Sequence, residues 1–265
     1  MKTIKINESQ KKRLFEAYQE GFSLEKLSMI GDVGFADDNC SVPQMRYCTQ
    51  WLGYPDSMGS SRAVYTLTDN FVLKLAYGHK FQAGKEQNRI ESEIFKMVDS
   101  PLLPRIVYWD DNYTFLVSEN VVPATFVDFE KFLGIPFWSN YVQKSTDIKD
   151  PNSSHNGDYE VGYDKYFKNI KSREEAEYNL NANNLMVYIM NKYSIGYDEE
   201  EPKFDEFIAQ NEWFTELVKL VQKTKMTDLS SIDNFGIVNR DGKPMIVILD
   251  SGFNINVYNR FYRRR

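Results

Sequence analysis

The chain has little of what several common site chemistries require. Two cysteines, Cys40 and Cys48, cannot form a disulfide framework in 265 residues, and their scarcity suits a reducing compartment. Histidine is equally scarce: His79 and His155 are the whole set. Neither has an obvious nucleophile beside it, which sets aside a His-based triad, and a zinc site would need ligands from elsewhere. No apolar run approaches membrane-spanning length and no signal-peptide pattern opens the chain. An excess of positive charge is also missing. The net charge of −6 disfavours broad nucleic-acid binding. These absences point to a soluble cytoplasmic protein with no membrane partner, long enough for one large domain or a two-lobed one.

What is present concentrates in two segments. Residues 228–252 read DLSSIDNFGIVNRDGKPMIVILDSG. Two apolar runs, Phe235 to Val238 and Met245 to Leu249, flank a turn of Asn239, Arg240, Asp241 and Gly242, which is a hairpin signal. Asp228, Asp233 and Asn234 enter the hairpin, and Asp250 leaves it before Ser251 and Gly252. A hairpin brings its two ends together, so Asn234 and Asp250 are expected side by side. Hard cations such as Mg²⁺ take oxygen ligands of this kind, often one or two carboxylates plus substrate phosphates. Asp, Asn and Gly also serve simply as turn formers, so the segment gains meaning only with a second one.

That second segment, residues 59–93, reads GSSRAVYTLTDNFVLKLAYGHKFQAGKEQNRIESE. Ala63–Thr68 and Phe71–Tyr77 read as strands joined at Asp69 and Asn70. The small-residue loop Gly59-Ser60-Ser61 precedes them, and its N–H groups are candidates to cradle phosphate oxygens. Lys74 is the single charge in the run FVLKLAY, so it faces either solvent or a buried anion. A helix is expected from about 84 to 98, with Ile90, Ile94, Met97 and Val98 as its buried stripe. Glu91 and Glu93 are the candidate partners for Lys74, with Glu91 preferred.

Taken together these residues resemble the protein-kinase-like superfamily, in which a strand Lys pairs with a helix Glu and metal is held by a loop Asn and a later Asp. More narrowly, GSSRAVY, VLKLA and GKEQNRIE are similar to kinase-like proteins encoded by tailed bacteriophages. The resemblance covers roughly Met45 to Leu133 and Thr227 to Phe253. It implies an α+β, two-lobed protein-kinase-like fold with a small antiparallel-sheet N-lobe and a reduced, mostly helical C-lobe. It also implies ATP and Mg²⁺ as cofactors. Lys74 would position the α- and β-phosphates, Glu91 would orient it, and Asp228 would be the catalytic base. Asn234 and Asp250 would hold Mg²⁺. Gly59, Ser60 and Ser61 would cover the phosphates, and Glu119 and Val121 would mark the hinge where adenine docks. The acceptor would be a protein or small molecule, with phage or host proteins as further partners. The location would be the host cytoplasm or the virion.

Departures from the family pattern are plain. Lys225-Met226-Thr227 stands where His-Arg precedes the catalytic Asp, and Asn234 lies one residue beyond the usual spacing from Asp228. The three-glycine loop is incomplete, Asp-Ser-Gly replaces Asp-Phe-Gly, and Gly252 lies thirteen residues before Arg265. Nucleotide binding is therefore better supported than phosphoryl transfer to a protein. The alternatives are a pseudokinase or adaptor, or a virion or assembly protein using the fold as a scaffold.

The expected organisation is a helical extension over 1–45, an N-lobe over 46–122 and a C-lobe over 123–265. A polar insertion spans about 146–166. Helices are expected around Gln44–Leu52, Thr125–Leu133, Glu174–Tyr193 and Phe204–Lys223. The RFYRRR tail, Arg260–Arg265, reads as a solvated terminus, with contact to nucleic acid, acidic protein or phosphate as alternatives.

Overall fold

In the computed structural model, which describes residues 23–32, 42–135, 137, 180–198, 200–240 and 242–263, the turn at Asp69 and Asn70 joins two strands as expected. The expected segments before residue 23, the polar stretch 146–166, Cys40, His155, Asp241, Arg264 and Arg265 lie outside the described residues. The architecture is α+β, with antiparallel sheets and helices.

The described residues divide into two compact units. The first comprises Met1–Pro123 with Gly236–Arg265, and the second Ala124–Phe235. The segment Gly236–Arg265 falls with the first unit.

In the first unit, α1 (Leu24–Asp32) and α2 (Val42–Leu52) precede β1 (Ser57–Met58), β2 (Arg62–Thr68) and β3 (Phe71–Ala76). Helix α3 (Phe81–Met97) follows, and then β4 (Ile106–Trp109) and β5 (Phe115–Glu119). The sheet order is β1-β2-β3-β5-β4, and each neighbouring pair is antiparallel. A strand at the middle of a sheet is covered on both faces, which explains the near-continuous apolar run of β3. Leu73 and Leu75 join Ala63, Tyr65, Phe115 and Val117 with Leu27, Ile30 and Cys48 in one fully apolar layer. Burying each of the larger side chains contributes about 1.5–3 kcal/mol. The opposite face of β3, carrying Val72, Lys74 and Ala76, receives α3.

A second sheet, in the order β6-β7-β8, contains β6 (Val122–Pro123), β7 (Phe235–Arg240) and β8 (Lys243–Ile248). The β7–β8 hairpin is the one expected from the sequence, and Gly242 takes the positive φ of 77° that its turn requires. Arg240 anchors the hairpin by donating to the carbonyls of Pro101 and Leu103, each at 2.7 Å, and to Glu119 at 2.9 Å.

In the second unit, α4 (Phe126–Leu133) starts with a capping box between Thr125 and Asp128. Helix α5 (Ala182–Ile189) is capped by Asn181 and continues in wider turns over Met190–Ile195. The single helix expected over Phe204–Lys223 is two, α6 (Pro202–Gln210) and α7 (Glu212–Thr224). Asn211 divides them: its backbone is extended, and its side chain accepts from the N–H groups of Trp213 and Phe214. Phe129, Phe137 and Phe235 pack ring to ring at 4.7–5.8 Å to form the centre of this unit.

Candidate functional site

Register places the first unit's charged groups. On β2 and β3, Arg62 lies opposite Ala76 and Val64 opposite Lys74. Arg62 and Lys74 are therefore diagonal neighbours on one face of the sheet. That face meets α3, where Gly84, Gln87, Asn88 and Glu91 recur at helical spacing and are all buried. A polar stripe under a helix demands partners, because unpaired buried polar groups are costly.

Each cation finds them. Lys74 Nζ donates to Glu91 Oε1 at 2.5 Å and to the Leu249 carbonyl at 2.6 Å. Of the two candidate glutamates, Glu91 is thus the one paired with Lys74, while Glu93 pairs with Arg89. Arg62 donates to the other oxygen of Glu91, to Asp250 at 2.6 Å and to Asn88 at 3.2 Å. Two cations and two carboxylates balance in one cluster. Arg62, Lys74 and Glu91 are each under a tenth exposed, whereas Asp250 is 27% exposed. Burial alone would raise the Glu91 carboxyl, but Lys74 and then Arg62 outweigh it and hold the group below its ordinary 4.5. Burial likewise opposes the charge on Arg62, and Asp250 followed by Glu91 more than restores it.

Close backbone approaches frame the cluster. A Cβ on Gly84 would lie 2.3 Å from the Ser61 carbonyl, and one on Gly252 would lie 2.3 Å from the Gln87 carbonyl. The glycine after Asp250 and Ser251 thus lets the segment behind β8 press against α3. In the Gly59-Ser60-Ser61 loop, the Gly59 N–H donates to the Arg62 carbonyl at 2.9 Å. Ser61 donates to Gln87, and the Ser60 hydroxyl shares a hydrogen bond with Tyr262. Tyr262 also accepts from Gln87, stacks edge-on against Phe253 and carries Lys80 3.8 Å over its ring. Within the tail Tyr262 is thus packed on the loop, while Arg260 and Arg263 are exposed. Glu119 accepts from Arg240 and from the Arg105 N–H, and Val121 lies against the position of a Gly236 Cβ.

Asp228 and Asn234 belong to the second unit. Asn234 Nδ2 donates to the Asp228 carbonyl at 2.9 Å, closing the loop on itself. Asn183 of α5 braces the same loop by donating to the Ser230 carbonyl at 2.7 Å. Two buried oxygens here, Asn183 Oδ1 and Thr227 Oγ1, have no hydrogen-bond partner among the described residues. Asn234 is thus bonded within its own unit to Asp228, and Asp250 within the first unit to Arg62.

The residue missed in the sequence is Arg62. Parity could not have found it: across a two-residue turn Arg62 and Lys74 would fall on opposite faces, and the register shift between Thr66 and Thr68 brings the two cations onto one. Among the described residues no three acidic, His or Cys side chains gather, and Asp250 accepts from Arg62.

No family model, curated protein or solved structure matches the chain.

Proposed function

We propose that this chain is a protein-kinase-like nucleotide-binding protein with a two-lobed plan, in which Lys74 engages the phosphates of ATP. The observation that carries the reading is the buried Lys74–Glu91 ion pair between the third strand and the helix after it. A Lys so placed, oriented by a helix Glu, is the phosphate-positioning device of protein kinases. Lys74 also donates to the carbonyl of Leu249, immediately before Asp250. An ammonium has three donors, and these two bonds leave one for a phosphate oxygen.

Binding without transfer, as in a pseudokinase or adaptor, is favoured over a phosphotransferase by one feature. Asp250, the expected metal ligand, is engaged by Arg62. Asp228 remains the candidate base for transfer to a protein or small-molecule acceptor. Phage origin, a host-cytoplasmic or virion location, and phage or host partners rest on the sequence resemblance.

The test is a thermal-shift and calorimetric titration with ATP on the native chain and Lys74→Met, followed by a radiolabel transfer assay. ATP is expected to raise the native midpoint and bind Lys74→Met at least about tenfold more weakly, a loss of about 1.4 kcal/mol. Lack of any ATP binding by the native chain removes the reading. Transfer of label lost in Asp228→Asn would favour the enzyme.

A further inference from the structure

We propose that the site takes its nucleotide as a metal-free polyphosphate anion, with Arg62 supplying the positive charge that a divalent cation would bring. The inference rests on the nucleotide-binding reading and goes further, by fixing what the ligand must carry with it.

Arg62 is held from three sides. Its guanidinium donates to Glu91 and Asn88 on α3 and to Asp250 behind β8. A planar fork fixed in this way is a preorganised cation, and it stays charged at any working pH. It also occupies Oδ1 of the carboxylate that a metal would need. Mg²⁺ requires a near-octahedral shell of oxygens and gives up its waters reluctantly. At Asp250 it would have to share the carboxylate with a buried guanidinium, whose charge needs that partner.

Arg62 and Lys74 are paired with Glu91 and Asp250. A triphosphate can compete with Asp250 for Arg62 while taking the remaining donor of Lys74. Asp250 is the most exposed of the four and the easiest to give up its partner.

The experiment measures ATP affinity of the full chain in excess EDTA and in saturating Mg²⁺. Saturating Mg²⁺ sequesters the metal-free nucleotide, so ATP is expected to bind at least about tenfold more weakly there than in EDTA, on the scale of about 1.4 kcal/mol. Affinity that agrees within about threefold in the two conditions, or is tighter with Mg²⁺, overturns the inference and leaves the nucleotide reading intact. No binding under either condition removes both. Asp250→Asn keeps the shape of the side chain and removes the charge competing for Arg62. It should tighten ATP binding in EDTA by about threefold or more. Weaker ATP binding by Asp250→Asn than by the native chain in EDTA would overturn the inference. Should Asp250→Asn fail to show a cooperative melt, the two-condition comparison on the native chain decides alone.

Discussion

At Glu91 the contest between burial and pairing produces a pH dependence that can be measured. Its carboxyl sits below 4.5 in the folded chain because Lys74 and Arg62 outweigh its desolvation. The folded state therefore binds fewer protons than the unfolded state near that pH, and stability rises with pH there. The contribution is complete above 4.5 and is lost as pH falls through the lower folded value. Glu86, bonded to Arg89, adds an effect of the same sign. Buried Asp110 is shifted upward chiefly by desolvation, so it acts in the opposite direction. Glu91→Gln leaves both of these in place. Urea denaturation between about pH 7 and about pH 3 should give a shallower acid loss in this variant than in the native chain. At neutral pH it should also be less stable by about 3–5 kcal/mol, because two buried cations lose a carboxylate. An unchanged acid profile would mean the pair is not formed in solution. Cys48 offers a second reading of the same unit: burial pushes its thiol up to about 12. It should resist alkylation at about pH 8 until the chain is denatured, as followed by mass spectrometry of its peptide.

Elements were legible where turn chemistry interrupts alternation. The Asp69–Asn70 turn, the hairpin at Gly242 and the helix over 81–97 each follow from local pattern within a few residues. The break between α6 and α7 was not, because the apolar spacing of Phe207, Phe214, Leu217 and Val221 continues in phase across Asn211. Only the capping bonds of that Asn decide it. Asn211→Ala should cost about 1 kcal/mol in denaturant unfolding, with helical signal reduced rather than gained. A gain in stability would show that one continuous helix is preferred. The candidate site was half legible. Lys74 and Glu91 stand out as charges in apolar surroundings, whereas Arg62 reads as an ordinary polar residue beside a loop. The glycine of Asp-Ser-Gly owes its place to the Gln87 carbonyl. Gly252→Ala should therefore lower stability by about 1–3 kcal/mol through backbone displacement. A neutral result would require α3 to shift without cost.

At the scale of the whole chain, the first unit is assembled from two stretches, Met1–Pro123 and Gly236–Arg265, with the second unit between them in sequence. No periodicity or propensity along the chain encodes such a return; it arises from long-range partners that become visible only once the chain is folded. Those partners are specific. Lys74 and Arg62 take acceptors at Leu249 and Asp250, β6 pairs with β7, and the Ile248 N–H donates to the Leu102 carbonyl. A chain ending at Phe235 loses all of them together. Two buried cations would then share Glu91 alone, and each uncompensated charge is strongly destabilising. The expected outcome is that this shortened chain no longer protects Cys48 from alkylation under native conditions, whereas the full-length Asp250→Ala variant still does. Because Cys48 packs in the apolar layer on the far side of the sheet from the ion cluster, its exposure would report collapse of the unit and not merely loss of a neighbouring contact. Full protection of Cys48 in the shortened chain, with an unchanged cooperative melt, would show instead that residues 1–123 hold their fold without the returning segment.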